Sequence, residues 1–403
     1  MSAGLLSHLQ DWLSLSLRWV HLVAGISWIG SSFYFMWLDA SLEPPEATDT
    51  EAQKRVEGQL WMVHSGGFYQ VQKRKIRPGE MPKTLHWFKW EAMFTVLTGL
   101  ALLVNLYYLT GGVYLLDSNV SSISLGAASA LGLGILAVSW FAYDALWNSN
   151  FAQSRSGLAT TLCYVALVAM VIGLCKTLSG RAAFIHVGAV MGTIMVLNVW
   201  VRILPAQQKM IDATAEGKIP DYGHGLAAKR RSVHNSYMTF PVLFVMLSNH
   251  YSMTFGHAQN WLILLLLIFA GAAIRHVMIG KSANARWAAL PAAAALLGVI
   301  GMTAPAGALQ SAELGEPIAY SEVHSIIERR CTQCHSSQPT DDVFKVAPNG
   351  VMFDAPEKVK AMAEKIQFRV VITKTMPMNN KTGITDDERE VLSKWIRQGA
   401  KLQ

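Results

Sequence analysis

The chain has 403 residues, 52% of them hydrophobic and only 15% charged. A soluble protein of this size carries about 25% charged residues, so an ordinary soluble globule is excluded. The net charge of +7 sits in the loops between apolar runs, where it records membrane topology and carries no nucleic-acid signal.

Apolar runs of about 20 residues recur through the first three quarters, each long enough to cross a bilayer as a helix. The spacing predicts eight spans, roughly 12–38, 87–108, 122–146, 157–176, 182–204, 235–255, 260–280 and 287–309. Helices are required because a backbone in hydrocarbon must satisfy its own polar groups. Basic residues set the orientation. Lys54, Arg55, Lys73, Arg74, Lys75, Arg77 and Lys83 fall between spans one and two. Arg155, Arg202, Lys209, Lys218, Lys229, Arg230, Arg231, Lys281 and Arg286 fall on the same side, against Lys176 and Arg181 on the other. The basic side is therefore cytoplasmic, and an even number of spans puts both termini outside. Residues 1–11 lack the basic start of a cleavable signal peptide.

Residues 310–320 are polar, contain Gly315 and Pro317, and read as a linker. Beyond it lies Cys331-Thr332-Gln333-Cys334-His335. Cys-x-x-Cys-His is the attachment run of a c-type haem: two thiols form thioethers and the adjacent imidazole binds the iron. A zinc knuckle needs a second ligand pair, and Cys163 and Cys175 lie far upstream in apolar runs, as buried core residues do. Such haem is attached outside the bacterial inner membrane, which agrees with the orientation read from other residues. Met376, before Pro377, is the expected second axial ligand, with Met378 as the alternative and Met352 a distant third. Thr385-Asp386-Asp387-Glu388 reads as a capping box, starting a helix to about Ala400 with Leu392, Trp395 and Ile396 on its apolar face. Residues 321–403 resemble a small class I c-type cytochrome.

Ionisable groups within spans mark function or buried pairs. Toward the outer face lie Arg18, His21, His186 and His250. The histidines suit ligands of a b-type haem relaying electrons across the bilayer, or ordinary interfacial anchors. Toward the inner face lie Asp39, His86, Glu91, Asp144, Arg202, His234, Arg275 and His276, with Asn198 and Asn235. That mixture suits binding and deprotonating a planar polar molecule. Trp87 and Trp90 would stack on it, Lys89, Arg202 or Arg275 would neutralise it, and Glu91, His86 or His234 would take its proton.

Several motifs together resemble a known family. They are Trp28-Ile29-Gly30-Ser31-Ser32-Phe33-Tyr34-Phe35, His86-Trp87-Phe88-Lys89-Trp90-Glu91, His186-Val187-Gly188-Ala189, Arg231-Ser232-Val233-His234-Asn235-Ser236-Tyr237 and Ser248-Asn249-His250-Tyr251. They resemble the membrane-bound bacterial urate oxidases, in which a membrane domain precedes a cytochrome c domain. The resemblance implies an all-α chain: a polytopic bundle of about eight transmembrane helices over 1–309, a linker over 310–320 and a cytochrome c domain over 321–403. It implies oxidation of urate to 5-hydroxyisourate in purine breakdown, with water supplying the oxygen. One covalent haem c would pass electrons to a respiratory acceptor such as a terminal oxidase or a soluble cytochrome c. The alternative from the residues alone is a quinol-oxidising respiratory subunit.

Overall fold

The computed structural model describes residues 3–45, 55–280, 283–304 and 316–403. Lys54, Lys281, the end of the eighth expected span and residues 310–315 of the expected linker lie outside the described residues. The described residues are 68% helix.

Two strands correct the all-α expectation. β1 (Val56–His64) and β2 (Gly67–Arg74) form an antiparallel hairpin with Val63 opposite Phe68 and His64 opposite Gly67. Its two-residue turn, Ser65-Gly66, has φ of 50° and 77°, the paired positive values of a tight hairpin turn.

Among the described residues seven helical stretches are long and apolar enough to cross a membrane. The first lies in α1 (Ala3–Ser41). α2 (Trp90–Leu103) runs into a wide π-helical turn, Val104–Tyr108. α3 (Leu125–Asn148), the short α4 (Asn150–Ser154) and α5 (Ser156–Cys175) follow. α6 (Gly180–Leu197) continues through a second π-helical turn, Asn198–Ile203, into α7 (Leu204–Ala215). α8 (Tyr222–Ser248) and the one-turn α9 (Ser252–Phe255) precede α10 (Asn260–Ile279). The short α11 (Ala283–Arg286) leads into α12 (Ala289–Thr303).

The expected count of eight differs because α8 does not qualify by apolar composition. It has the length, at 27 residues, but its first half carries Lys229, Arg230, Arg231, His234 and Asn235. Those residues need polar neighbours, which α3 and α6 provide. α6 is the hub: 78% of the most apolar 18 residues in the stretch from α6 to α7 are buried, against 28% or less of such segments in the other six.

The hairpin caps one end of the bundle. Lys73 and Lys229 both pair with Asp39, at 2.5 and 3.2 Å, tying the hairpin and the start of α8 to the end of α1. α1 has 39 residues, about 58 Å at 1.5 Å each, so it outreaches an apolar layer of about 30 Å and supports the hairpin beyond it.

At the opposite end sits a unit with its own core. α13 (Tyr320–Arg330) crosses α16 (Asp386–Arg397), with Val323, Ile327, Leu392 and Trp395 buried between them. Two short helices, α14 (Pro356–Ala361) and α15 (Ala363–Ile366), complete the packing. The capping box forms as expected: Glu388 N–H donates to Thr385 Oγ1 at 3.1 Å and Thr385 N–H to the Glu388 carboxylate at 2.9 Å.

Candidate functional site

Pro205 has no N–H to return to the turn before it, and the preceding residues widen into the π-helical turn of α6. Such turns recur at functional sites. Asn198 and Arg202 face α3 and α8 from this turn. Asp144 of α3 accepts from both nitrogens of the Arg202 fork and, at 3.0 Å, from Arg231 of α8. Arg231 is 3% exposed and also donates to Asn148 (3.1 Å) and Asn198 (3.3 Å). The Asn198 amide donates to Asn235 Oδ1 (2.8 Å) and to the Tyr143 hydroxyl (3.1 Å), and Asn235 donates to the Met195 carbonyl. The Tyr143 hydroxyl bonds His234 Nδ1 at 2.8 Å, and Trp147 lies 4.3 Å from that imidazole. This network is densely satisfied and therefore rigid. Two guanidiniums share one carboxylate, leaving one excess positive charge.

On the other side of the turn, Trp200 meets the start of α2. The Lys89 ammonium lies 5.6 Å from the Trp87 ring, 5.6 Å from Trp90 and 5.7 Å from Trp200, a cage held by cation–π attraction. Glu91 Oε2 and Trp200 Nε1 are buried without a hydrogen-bond partner among the described residues. Glu91 lines a groove of about 630 Å³ with Trp19, Val23 and Ser27 of α1 and with Trp90 and Phe94.

The expected single inner cluster therefore resolves into separate surroundings. His234 and Arg202 belong to the network on α3, α6 and α8, where Arg202 is committed to Asp144. Lys89, Trp90 and Glu91 stand at the α2–α6 junction. His86 and Trp87 line a cleft of about 600 Å³ between the hairpin and α7. Arg275, on α10, donates to Ser236 Oγ at 2.7 Å and lies over Phe33 at 4.1 Å, apart from the other two arginines. Sorting residues by depth missed Tyr143 and Trp200. The available signal was helical spacing: Asn198 and Arg202, or Arg231, His234 and Asn235, recur on one face of otherwise apolar helices.

The outer histidines have different hydrogen-bond partners. His21 Nδ1 contacts the Thr95 carbonyl (2.9 Å) and Thr98 Oγ1 (3.1 Å) of α2. His250 is exposed after α8. His186 is fully buried; Nδ1 donates to the Ala182 carbonyl and Nε2 accepts from the Tyr108 hydroxyl, both at 2.8 Å. α3 closes this pair with Gly132, where a Cβ would stand 2.5 Å from both His186 Nε2 and the Tyr108 oxygen. His186 Nε2 thus faces the Tyr108 hydroxyl across the space that Gly132 leaves open.

In the C-terminal unit, α13 ends at Arg330 and the next residues turn tightly, with His335 N–H donating to the Cys331 carbonyl at 2.8 Å. Burial, with Cys334 and Glu388 nearby, pushes the Cys331 thiol up to about 12; burial and the Asp341 carboxylate push Cys334 up to about 11. Both are neutral thiols at pH 7, the form whose S–H adds across a vinyl group. Burial lowers His335 below the usual imidazole range, against the opposing Val351 carbonyl. Its Nδ1–H donates to that carbonyl at 3.0 Å, which fixes the tautomer and leaves the Nε2 lone pair for a metal. Met376 and Cys331 both pack against the unit's core. Buried Arg389 holds the Met376 and Val370 carbonyls. These residues fit a covalently attached haem.

A family model described as urate oxidase N-terminal matches residues 7–305. The chain belongs to this family. No curated protein and no solved structure matches it. The urate oxidase N-terminal segment takes in the hairpin and α1 to α12. It therefore contains the α3–α6–α8 network, the Lys89 cage and both cavities, while the Cys-x-x-Cys-His turn lies beyond it.

Proposed function

We propose that this protein is a membrane-bound urate oxidase. Urate and water give 5-hydroxyisourate, two protons and two electrons, and the electrons leave for a respiratory acceptor instead of passing directly to oxygen. Family membership over most of the chain carries this reading. The neutral, oriented His335 beside two neutral thiols supports a haem c held by Cys331, Cys334, His335 and Met376. When bound, that haem supplies a one-electron acceptor. The seven apolar stretches, with basic residues gathered at the hairpin end, support a bacterial inner-membrane location with the C-terminal unit in the periplasm.

The reaction needs a group that attracts a planar anion, a surface for its ring and an acceptor for its protons. In this reading Lys89 attracts the anion, Trp90 and Trp200 face the ring, and Glu91, which lacks a partner for Oε2, takes a proton. His234, in the separate α3–α6–α8 network, exchanges a proton with the Tyr143 hydroxyl that it bonds at 2.8 Å. Arg202 holds helices through Asp144, and Arg275 through Ser236, with Arg275 Nη2 buried and without a hydrogen-bond partner among the described residues.

The test is anaerobic addition of urate to the oxidised, purified protein while following the reduced haem c band. Reduction of two haem c groups per urate consumed, with release of 5-hydroxyisourate, is the expected result. A protein that dithionite reduces and urate does not would overturn the proposal, and reduction by a quinol alone would replace it.

A further inference from the structure

The cleft beneath the hairpin has features of a built binding site. Arg74 and Lys75 follow from β2, His86 and Trp87 form a second wall, and Gln207 of α7 and Tyr222 of α8 form a third. Its volume of about 600 Å³ falls within the ~300–1,000 Å³ of small-molecule sites. Met210 and Ile211 give it an apolar floor. Two aromatic rings, an amide and cations over such a floor suit a flat heteroaromatic anion.

The charges facing the cleft point the same way. Lys75 is paired with Glu57 at 3.4 Å. Arg74 donates only to neutral Gln72, at 2.9 Å, and among the described residues it has no carboxylate partner. Glu57 balances Lys75, so Arg74 leaves one uncompensated positive charge at the cavity. Trp87 joins the cleft to the bundle, because it lines the cavity and is also one wall of the Lys89 cage.

We infer that this cleft is a loading site, where a planar anionic purine is held by Arg74 against Trp87 and Tyr222 before it moves past Trp87 to Lys89. The inference rests on the urate reading and adds a first binding position outside the apolar layer. Arg74 and Tyr222 bind there and take no part in the chemistry at Lys89 and Glu91.

Equilibrium dialysis of labelled urate tests it, using full-length protein held reduced by dithionite so that no turnover occurs. Arg74→Gln and Tyr222→Leu should each weaken binding about tenfold, and Arg74→Lys should restore most of the loss. Under turnover Arg74→Gln should raise KM about tenfold with kcat nearly unchanged. Unchanged binding in both Arg74→Gln and Tyr222→Leu overturns the loading site even if urate reduces the wild-type haem. Arg74-dependent binding of xanthine by a protein that urate cannot reduce supports the cleft and sinks the urate reading. Loss of urate binding in vesicles of phosphatidylglycerol but not phosphatidylcholine would make the cleft a lipid-headgroup site and overturn the inference.

Discussion

Ser118, in the loop between α2 and α3, donates two hydrogen bonds to Asn379: its N–H to Oδ1 at 2.9 Å and its hydroxyl to the main-chain carbonyl at 3.3 Å. The turn beginning at Met376 thus rests on the bundle, and Tyr114 reaches Phe344 with ring centroids 6.4 Å apart. Asn379 has φ of +54°, which Gly accepts without strain. Asn379→Gly should leave the unit folded and remove one neutral bond, about 1 kcal/mol. Hydrogen exchange at the Ser118 amide should quicken several-fold while exchange in α16 stays unchanged.

Gly256 is the third contact of this seam. A Cβ there would stand 2.6 Å from Thr375 Cγ2 and 2.8 Å from Thr373 Cβ. Gly256→Val should push the Met376 turn outward, at about 1–3 kcal/mol of overpacking. The expected readout is a weaker sulfur-to-iron absorption band with covalent haem content intact. An unaltered band would show that the seam does not set the position of Met376.

Acid should loosen the C-terminal unit first. Burial alone would raise Asp341, but the Lys381 ammonium at 2.6 Å and the N–H groups of Phe344 and Val343 outweigh it and hold the carboxyl below its ordinary value. A depressed folded value stabilises at pH above the unfolded value of about 3.9, and that stability is lost as pH falls through the lower folded value. Exchange of α16 amides should rise below about pH 4. Asp341→Ala should cost about 2 kcal/mol at pH 7 and flatten that acid response.

Removing Arg231 should destabilise the bundle more than removing Arg202. Arg231 is buried and holds Asp144, Asn148 and Asn198, whereas the Arg202 side chain is 39% exposed. Arg231→Met should cost about 3 kcal/mol, the scale for breaking a buried charge pair, read as a lowered Tm in detergent. Arg202→Met should cost under half as much.

Glu91→Ala and His234→Ala should abolish urate-dependent haem reduction while haem c remains attached and reducible by dithionite. Wild-type rates in both would remove these residues from the chemistry.

Local spacing was the legible part of this protein. Cys331, Cys334 and His335 fall within one turn, and the Thr385–Glu388 box closes over three residues, so neither needs tertiary information. The apolar spans were legible for the same reason. The hairpin was passed over although Leu60 to Val63 and Phe68 to Val71 flank Ser65-Gly66, because its length matched a loop between spans. The site was legible in depth but not in azimuth. Arg202 and Arg275 share a level, yet one faces Asp144 and the other Phe33, and only the packing of α6 and α10 decides which neighbour each meets.

A π-helical turn holds one residue more than the helix it interrupts. Winding Asn198–Ile203 as ordinary helix, with no residue removed, would swing α7 through about 100°. Gln207, Met210 and Ile211 would then look away from Trp87, and the cleft would lose its floor. A single residue of register thus joins two places that share no side chain: the buried arginine network and the chamber under the hairpin.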